Sequence, residues 1–297
     1  MKHTAKVTLM ILGIFFIAQI IGLIIVNSYI DKQKLQEGQI AFSELPLKVE
    51  RPVVEEKTSF IYITIAILIG TLLAFVLIRF RQMLLWKIWF LLAIFITLNV
   101  AFKPFMPALI ATVLAGALAL WKIYKPNFYV HNFTELFIYG GLAAIFVPVL
   151  SLFSIIMLLI FISAYDAYAV WKSKHMIKLA KFQTKSKMFA GVIIPYKIPK
   201  VPKGNVSIKK VKVRTAILGG GDIGFPLLFA GVLFKGLLLT NPVSIAFAKV
   251  LIVPILATAA LGWLLYNAEK DKFYPAMPTI STGCFAALII MKIIGFI

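Results

Sequence analysis

Two aspartates lie inside apolar runs of this chain: Asp166 in LLIFISAYDAYAVWK and Asp222 in TAILGGGDIGFPLLFAGVLF. The remaining acids fall in the segments between runs or, like Glu135, near the end of one. A carboxylate in hydrocarbon costs about 2.5 to 3.5 kcal/mol even on a lenient insertion scale, so such residues tend to mark function. Asp166 precedes Lys172, the first basic residue beyond its run, by a distance that puts it about 9 Å deep on a helix. Counted the same way from Arg214, Asp222 sits about 12 Å deep. Consecutive antiparallel helices can therefore bring the two to one level, facing each other. Two carboxylates in contact at low dielectric cannot both ionise cheaply, so the pair holds a single proton between them. The ionised member can then take a proton from water while the protonated one polarises a peptide carbonyl. Carboxylates so placed also suit proton relays in a secondary transporter or channel.

The elements that must position them are membrane helices. The 297 residues are 61% hydrophobic, with a mean hydropathy of +0.96, far too apolar for a soluble core to hide. Runs cut at charges, Pro and Gly fall near 8–29, 59–78, 83–102, 105–120, 133–148, 149–171, 216–234, 242–266 and 276–296. The expected fold is an all-α polytopic membrane protein of about nine transmembrane helices, with Pro148 separating the fifth from the sixth. The first run is longer than the apolar part of a signal peptide and lacks a small-residue cleavage site, so it reads as a retained anchor. Most of the 31 Lys and Arg fall in alternate segments that begin with the N-terminus. The positive-inside rule then makes the N-terminus cytoplasmic and the C-terminus external, in a multi-pass protein of the cell membrane.

Segment 172–214 is basic and has no acid, and it accounts for most of the net charge of +20. Anionic lipid head groups explain that charge without nucleic acid. The chain divides at this loop into an N-terminal membrane part, 1–171, a basic cytoplasmic loop, 172–215, and a C-terminal membrane part, 216–297. The single Cys284 allows no internal disulfide, and His3, His131 and His175 fall in polar segments outside the apolar runs, which argues against a histidine-based metal site. Lys249 lies within the eighth run, close enough to its outer end to snorkel.

Gly219, Gly220 and Gly221 strip side chains from the turn before Asp222, which weakens the helix and lets backbone or substrate approach the carboxylate. Pro275 and Pro278 bracket a short non-helical entry to the ninth run, level with the aspartates. Helix packing through small residues and an ordinary proline helix start account for these features taken singly.

Together these residues resemble the presenilin and signal peptide peptidase family of intramembrane aspartyl proteases, in particular its archaeal members. The resemblance rests on Tyr165-Asp166, on the G-x-G-D motif at Gly219-Gly220-Gly221-Asp222, and on a P-A-L motif rendered Pro275-Ala276-Met277. It implies a catalytic dyad of Asp166 and Asp222, with Pro275, Ala276 and Met277 shaping the site. The implied substrate is a transmembrane protein or peptide that unwinds locally; no metal or organic cofactor is implied, and no accessory subunit is required. Met277 departs from the family's Leu but keeps an apolar side chain of similar volume. The basic 172–214 loop lacks the acidic and apolar insert at which eukaryotic presenilin cuts itself, so self-cleavage is not expected.

A transporter or cation channel using the same aspartates should show an internal repeat, and none is visible. Serine and zinc proteases of membranes need an intramembrane His or an H-E-x-x-H motif; the apolar runs as cut hold no His, and the motif does not occur. One further segment, NVSIKKVKVRTA, alternates with period two: Val206 and Ile208, then, after a one-residue slip, Val211 and Val213. It reads as a half-exposed strand able to pair with an unwound substrate; a solvated basic stretch is the alternative.

Overall fold

Backbone amides in hydrocarbon must be satisfied within their own segment, which makes the apolar runs helices. The computed structural model describes residues 4–80, 82–172, 188–196, 215–269 and 274–297. In chain order come α1 (Ala5–Ser28), the short α2 (Lys32–Gln36), α3 (Ser59–Arg79), α4 (Met83–Phe102), α5 (Ala108–Tyr124), α6 (Phe128–Phe146) and α7 (Leu152–Ala167). Strands β1 (Gly191–Pro195) and β2 (Thr215–Gly219) lead to α8 (Gly220–Leu237), α9 (Val243–Val250), α10 (Ile252–Asn267) and α11 (Met277–Ile293). Seven apolar helical segments among the described residues are long enough to cross a membrane, α9 and α10 counting as one; α5 and α11 are apolar but shorter. The protein is mostly helical and multi-pass.

Prolines set two of the breaks. At Pro148 a 3-10 turn over Val147–Val149 ends α6, Leu150 is extended, and α7 restarts where the Ser151 hydroxyl accepts from Ser154 N at 3.1 Å. The run 242–266 is two helices bent at Leu251, because Pro254 has no N–H to donate to the carbonyl of Val250.

The core is built around α8, whose Leu227, Phe229, Ala230 and Phe234 are fully buried. Phe15 and Ala18 of α1, Leu158 and Leu159 of α7, and Ile280 and Cys284 of α11 belong to the same buried cluster. The first run is therefore a core helix as well as an apolar one. By contrast α3 exposes Ile65, Leu68 and Leu72, as a lipid-facing helix should. At the end of α8 remote from Asp222, Lys235 Nζ donates to Leu150 O (2.9 Å) and Pro148 O (3.3 Å) and pairs with Glu56 (3.1 Å), tying α8 to the α6–α7 turn. Lys249 donates to Asn241 Oδ1 at 2.7 Å and lies over the Phe296 ring.

The architecture departs from all-α at the site. β1 and β2 pair antiparallel in the register Gly191↔Gly219, Ile193↔Ile217, Pro195↔Thr215. The helix expected to begin at 216 begins at Gly220, because Thr215–Gly219 finds a strand partner and three consecutive glycines give a helix little support. Val192, Ile194, Ala216 and Leu218 are buried on one face of the hairpin. The strand expected around Val206, Ile208, Val211 and Val213 lies outside the described residues.

Candidate active site

β2 ends where α8 starts, so Asp222 occupies the third position of α8's first turn rather than a point two turns inside a helix. Its carboxylate turns back to accept from the Gly219 N–H at 3.2 Å. This is half of a capping box: the N3 side chain returns to the N-cap amide, while the glycine N-cap has no side chain to reciprocate. Asp222 is half-buried.

Asp166 lies one residue before the end of α7, which continues as a π-helical turn over Tyr168–Lys172. It is buried, and its Oδ2 accepts from the Met277 N–H at 3.1 Å. Pro278 follows at the start of α11, where its missing N–H has no intrahelical acceptor to lose. Each carboxylate thus faces the N-terminus of a helix, Asp222 that of α8 and Asp166 that of α11, where free N–H groups favour an anion. The two carboxyl groups are near enough to interact electrostatically. Pro275 and Met277 are buried, and Tyr165 stacks on Phe161 one turn back on α7.

The three glycines are not equivalent. A Cβ on Gly220 would lie 2.8 Å from Tyr139 Oη and 3.1 Å from its Cε1, so α6 presses directly on the turn that carries Asp222. A Cβ on Gly219 would meet Asp222 Oδ2 at 3.1 Å, whereas one on Gly221 would make only ordinary contact with Phe225. Gln19 of α1, fully buried, donates to Ile223 O at 2.8 Å and holds the same turn from the other side.

Behind the hairpin lies a polar cluster that the sequence does not announce. Glu135 of α6 is buried and accepts from Lys122 of α5, itself 2% exposed, and from the Tyr139 hydroxyl. Lys122 also donates to Thr134 Oγ1 at 3.0 Å. The Gly191 N–H donates to Glu135 Oε2 at 3.1 Å, and His131 Nε2 lies 2.7 Å from Gly191 O. Asn132 completes the row, accepting from Ile193 N at 3.0 Å and donating to Ile193 O at 2.8 Å. His131 therefore belongs to a spanning helix and not to a polar loop. The available signal is the helix start: Asn127 caps α6 by accepting from Tyr129 N, which places His131, Glu135 and Tyr139 four apart on one face.

The family described as signal-peptide peptidase, presenilin aspartyl protease matches residues 12–297, and the chain belongs to it. A comparison with curated proteins finds no match. Among solved structures, a presenilin family intramembrane aspartate protease in a C222 crystal form matches with a TM-score of 0.61 at 18% identity, over 95% of this chain and 99% of that one. A P2 form of a protein of the same description matches with a TM-score of 0.60 at 18% identity, over 96% of each chain. At that identity the likeness is one of fold, and the fold is that of a presenilin-family intramembrane aspartyl protease.

Proposed function

We propose that the chain is an intramembrane aspartyl endopeptidase of the G-x-G-D type, with Asp166 and Asp222 as its acid/base dyad. The observation that supports this reading is that two carboxylates on separate helices are each seated at a helix N-terminus, Asp166 on the Met277 amide and Asp222 on the Gly219 amide, within electrostatic range of one another. The ionised carboxylate takes a proton from a water as that water attacks the scissile carbonyl carbon. The protonated one hydrogen-bonds to the carbonyl oxygen, and collapse of the tetrahedral intermediate expels the amine with a proton from the pair. Water and the chain's own side chains suffice for every proton in this scheme.

The substrate is a transmembrane protein or peptide whose helix unwinds, since a helical backbone presents its peptide bonds poorly to attack. The open edge of β2 offers the place where it is held. Gly191 and Ile193 spend their outward backbone groups on α6, so the register leaves Thr215 and Ile217 facing the other way, and no described residue bonds to them there. Backbone pairing along this edge leads straight to Asp222 and makes little demand on substrate sequence. Nine crossings with a cytoplasmic N-terminus, the division at 172–215, and residence in the cell membrane complete the reading.

Purified protein in liposomes, given a transmembrane peptide, should yield two fragments by mass spectrometry. Asp166→Ala and Asp222→Ala should each abolish cleavage while the protein still folds and inserts, and the double variant should be no worse than either. Substantial turnover by either single variant would remove the dyad. Proton-coupled flux with no cleavage by the wild type would point instead to a transporter or channel.

A further inference from the structure

The hairpin has two edges, and α6 occupies one of them. Along β1, Asn132 pairs with both the N–H and the C=O of Ile193, as a neighbouring strand residue would. Two residues toward Gly191, His131 and Glu135 divide the C=O and the N–H of that residue between them. Gly191 has φ of +140°, a conformation for glycine, and a Cβ there would run into Leu218 O and the Phe189 ring. Its backbone is thus held from both sides.

The supporting groups are buried where an ion pair is a poor source of stability. Lys122 and Glu135 are 2% and 1% exposed, and removing such charges from water costs several kcal/mol before their attraction returns any of it. The arrangement fixes geometry instead. The two Glu135 oxygens hold different partners, Oε1 meeting Lys122 while Oε2 takes both the Tyr139 hydroxyl and the Gly191 N–H. Tyr139 in turn abuts Gly220. One carboxylate therefore ties the start of β1 to the turn that carries Asp222.

We propose that His131, Asn132 and Glu135 of α6 are positioning residues that act as a side-chain strand, locking the hairpin's register and thereby selecting which peptide bond is presented to Asp222. The proposal rests on the protease reading above. It concerns the location of the cut, because a substrate strand on β2 takes its register from β2, which takes its own from β1, which α6 fixes. A strand can slip only in steps that preserve its inward face, that is by about two residues.

The test is a product map. Wild type, Asn132→Leu, His131→Leu and His131→Gln are incubated with one transmembrane peptide in liposomes, and every cleaved bond is quantified by mass spectrometry alongside kcat, KM and thermal melting. Wild type should cut at a narrow set of bonds. Asn132→Leu and His131→Leu should spread the cuts to bonds about two residues away, with kcat lowered at least about five-fold and KM changed less than two-fold. His131→Gln, which keeps a donor for Gly191 O, should restore the wild-type map. Should Asn132→Leu fail to fold, the two His131 variants decide the matter. An unchanged map, with activity falling only as the folded fraction falls, overturns the positioning role and leaves the protease reading intact. A wild type that cleaves nothing overturns the protease reading itself.

Discussion

Gly220→Ala isolates the contact between α6 and the turn that carries Asp222. The new Cβ would lie 2.8 Å from Tyr139 Oη, and that oxygen cannot simply retreat, because Tyr139 is buried and bonded to Glu135. Gly221→Ala provides the control: it is the next residue of the same helical turn, and its Cβ would find nothing nearer than Phe225 Cε2 at 3.4 Å. Both changes gain up to about 1 kcal/mol from the helix preference of Ala over Gly. Their difference therefore reports the overlap, which should make Gly220→Ala the less stable by about 1 to 3 kcal/mol. Equilibrium unfolding in mixed detergent micelles measures it. Tyr139→Phe removes the nearest of the crowding atoms, so its combination with Gly220→Ala should be milder than the sum of the single effects, by more than about 0.5 kcal/mol. Equal stability of the two alanine variants, or additivity of Gly220→Ala with Tyr139→Phe within that margin, would refute the reasoning.

Because a pair that shares one proton works only in its singly protonated form, the cleavage rate should trace a bell against pH; a flat profile between about pH 4 and 9 counts against the mechanism. Lys122→Met and Glu135→Gln should each cost about 3 to 5 kcal/mol of stability, since either leaves a buried group without its counter-charge or partner, while the double variant recovers most of the loss. Unfolding measurements that show the double variant as the sum of the singles would contradict this. Ile217→Pro deletes the backbone donor on the open edge of β2 and should cleave far more slowly than Ile217→Thr at matched folded protein; equal rates would mean that the substrate is not held there.

What can be read from the sequence is what stands out against an apolar background. Asp166 and Asp222 are rare residue types in such runs, three consecutive glycines and two prolines around Met277 are conspicuous groupings, and hydropathy alone places the helices around them. The β2 strand is hidden because TAILG continues into the apolar run of α8 without a break, and only its upstream partner GVIIP makes it a strand. The bend at Leu251 is signalled by Pro254, but the length of the run conceals it. The α6 cluster escapes a reading that starts the run at 133, after His131 and Asn132, because Glu135 then looks like an end residue. Once the helix begins at Phe128, that glutamate is a turn further in. Its pairing with Lys122 depends on how α5 and α6 pack, which periodicity does not reveal.

The bond from Met277 to Asp166 is made by an amide, so it answers to the position of a peptide plane and to no side chain. Among the standard amino acids only proline lacks that donor. Every other residue type at position 277 is therefore equivalent for this one contact, and the methionine found in place of leucine is silent to it. Gly219 also reaches Asp222 through its own amide, but there a Cβ would crowd the accepting Oδ2 at 3.1 Å, so that position is not equally free. Lys122 and Glu135 are the opposite case, since a change at either codon strips its partner. Over long divergence, drift in side-chain type should be tolerated by the Met277–Asp166 contact, where the peptide backbone does the holding. It should stall at the buried pair on α5 and α6, where a tolerated replacement needs two changes at once.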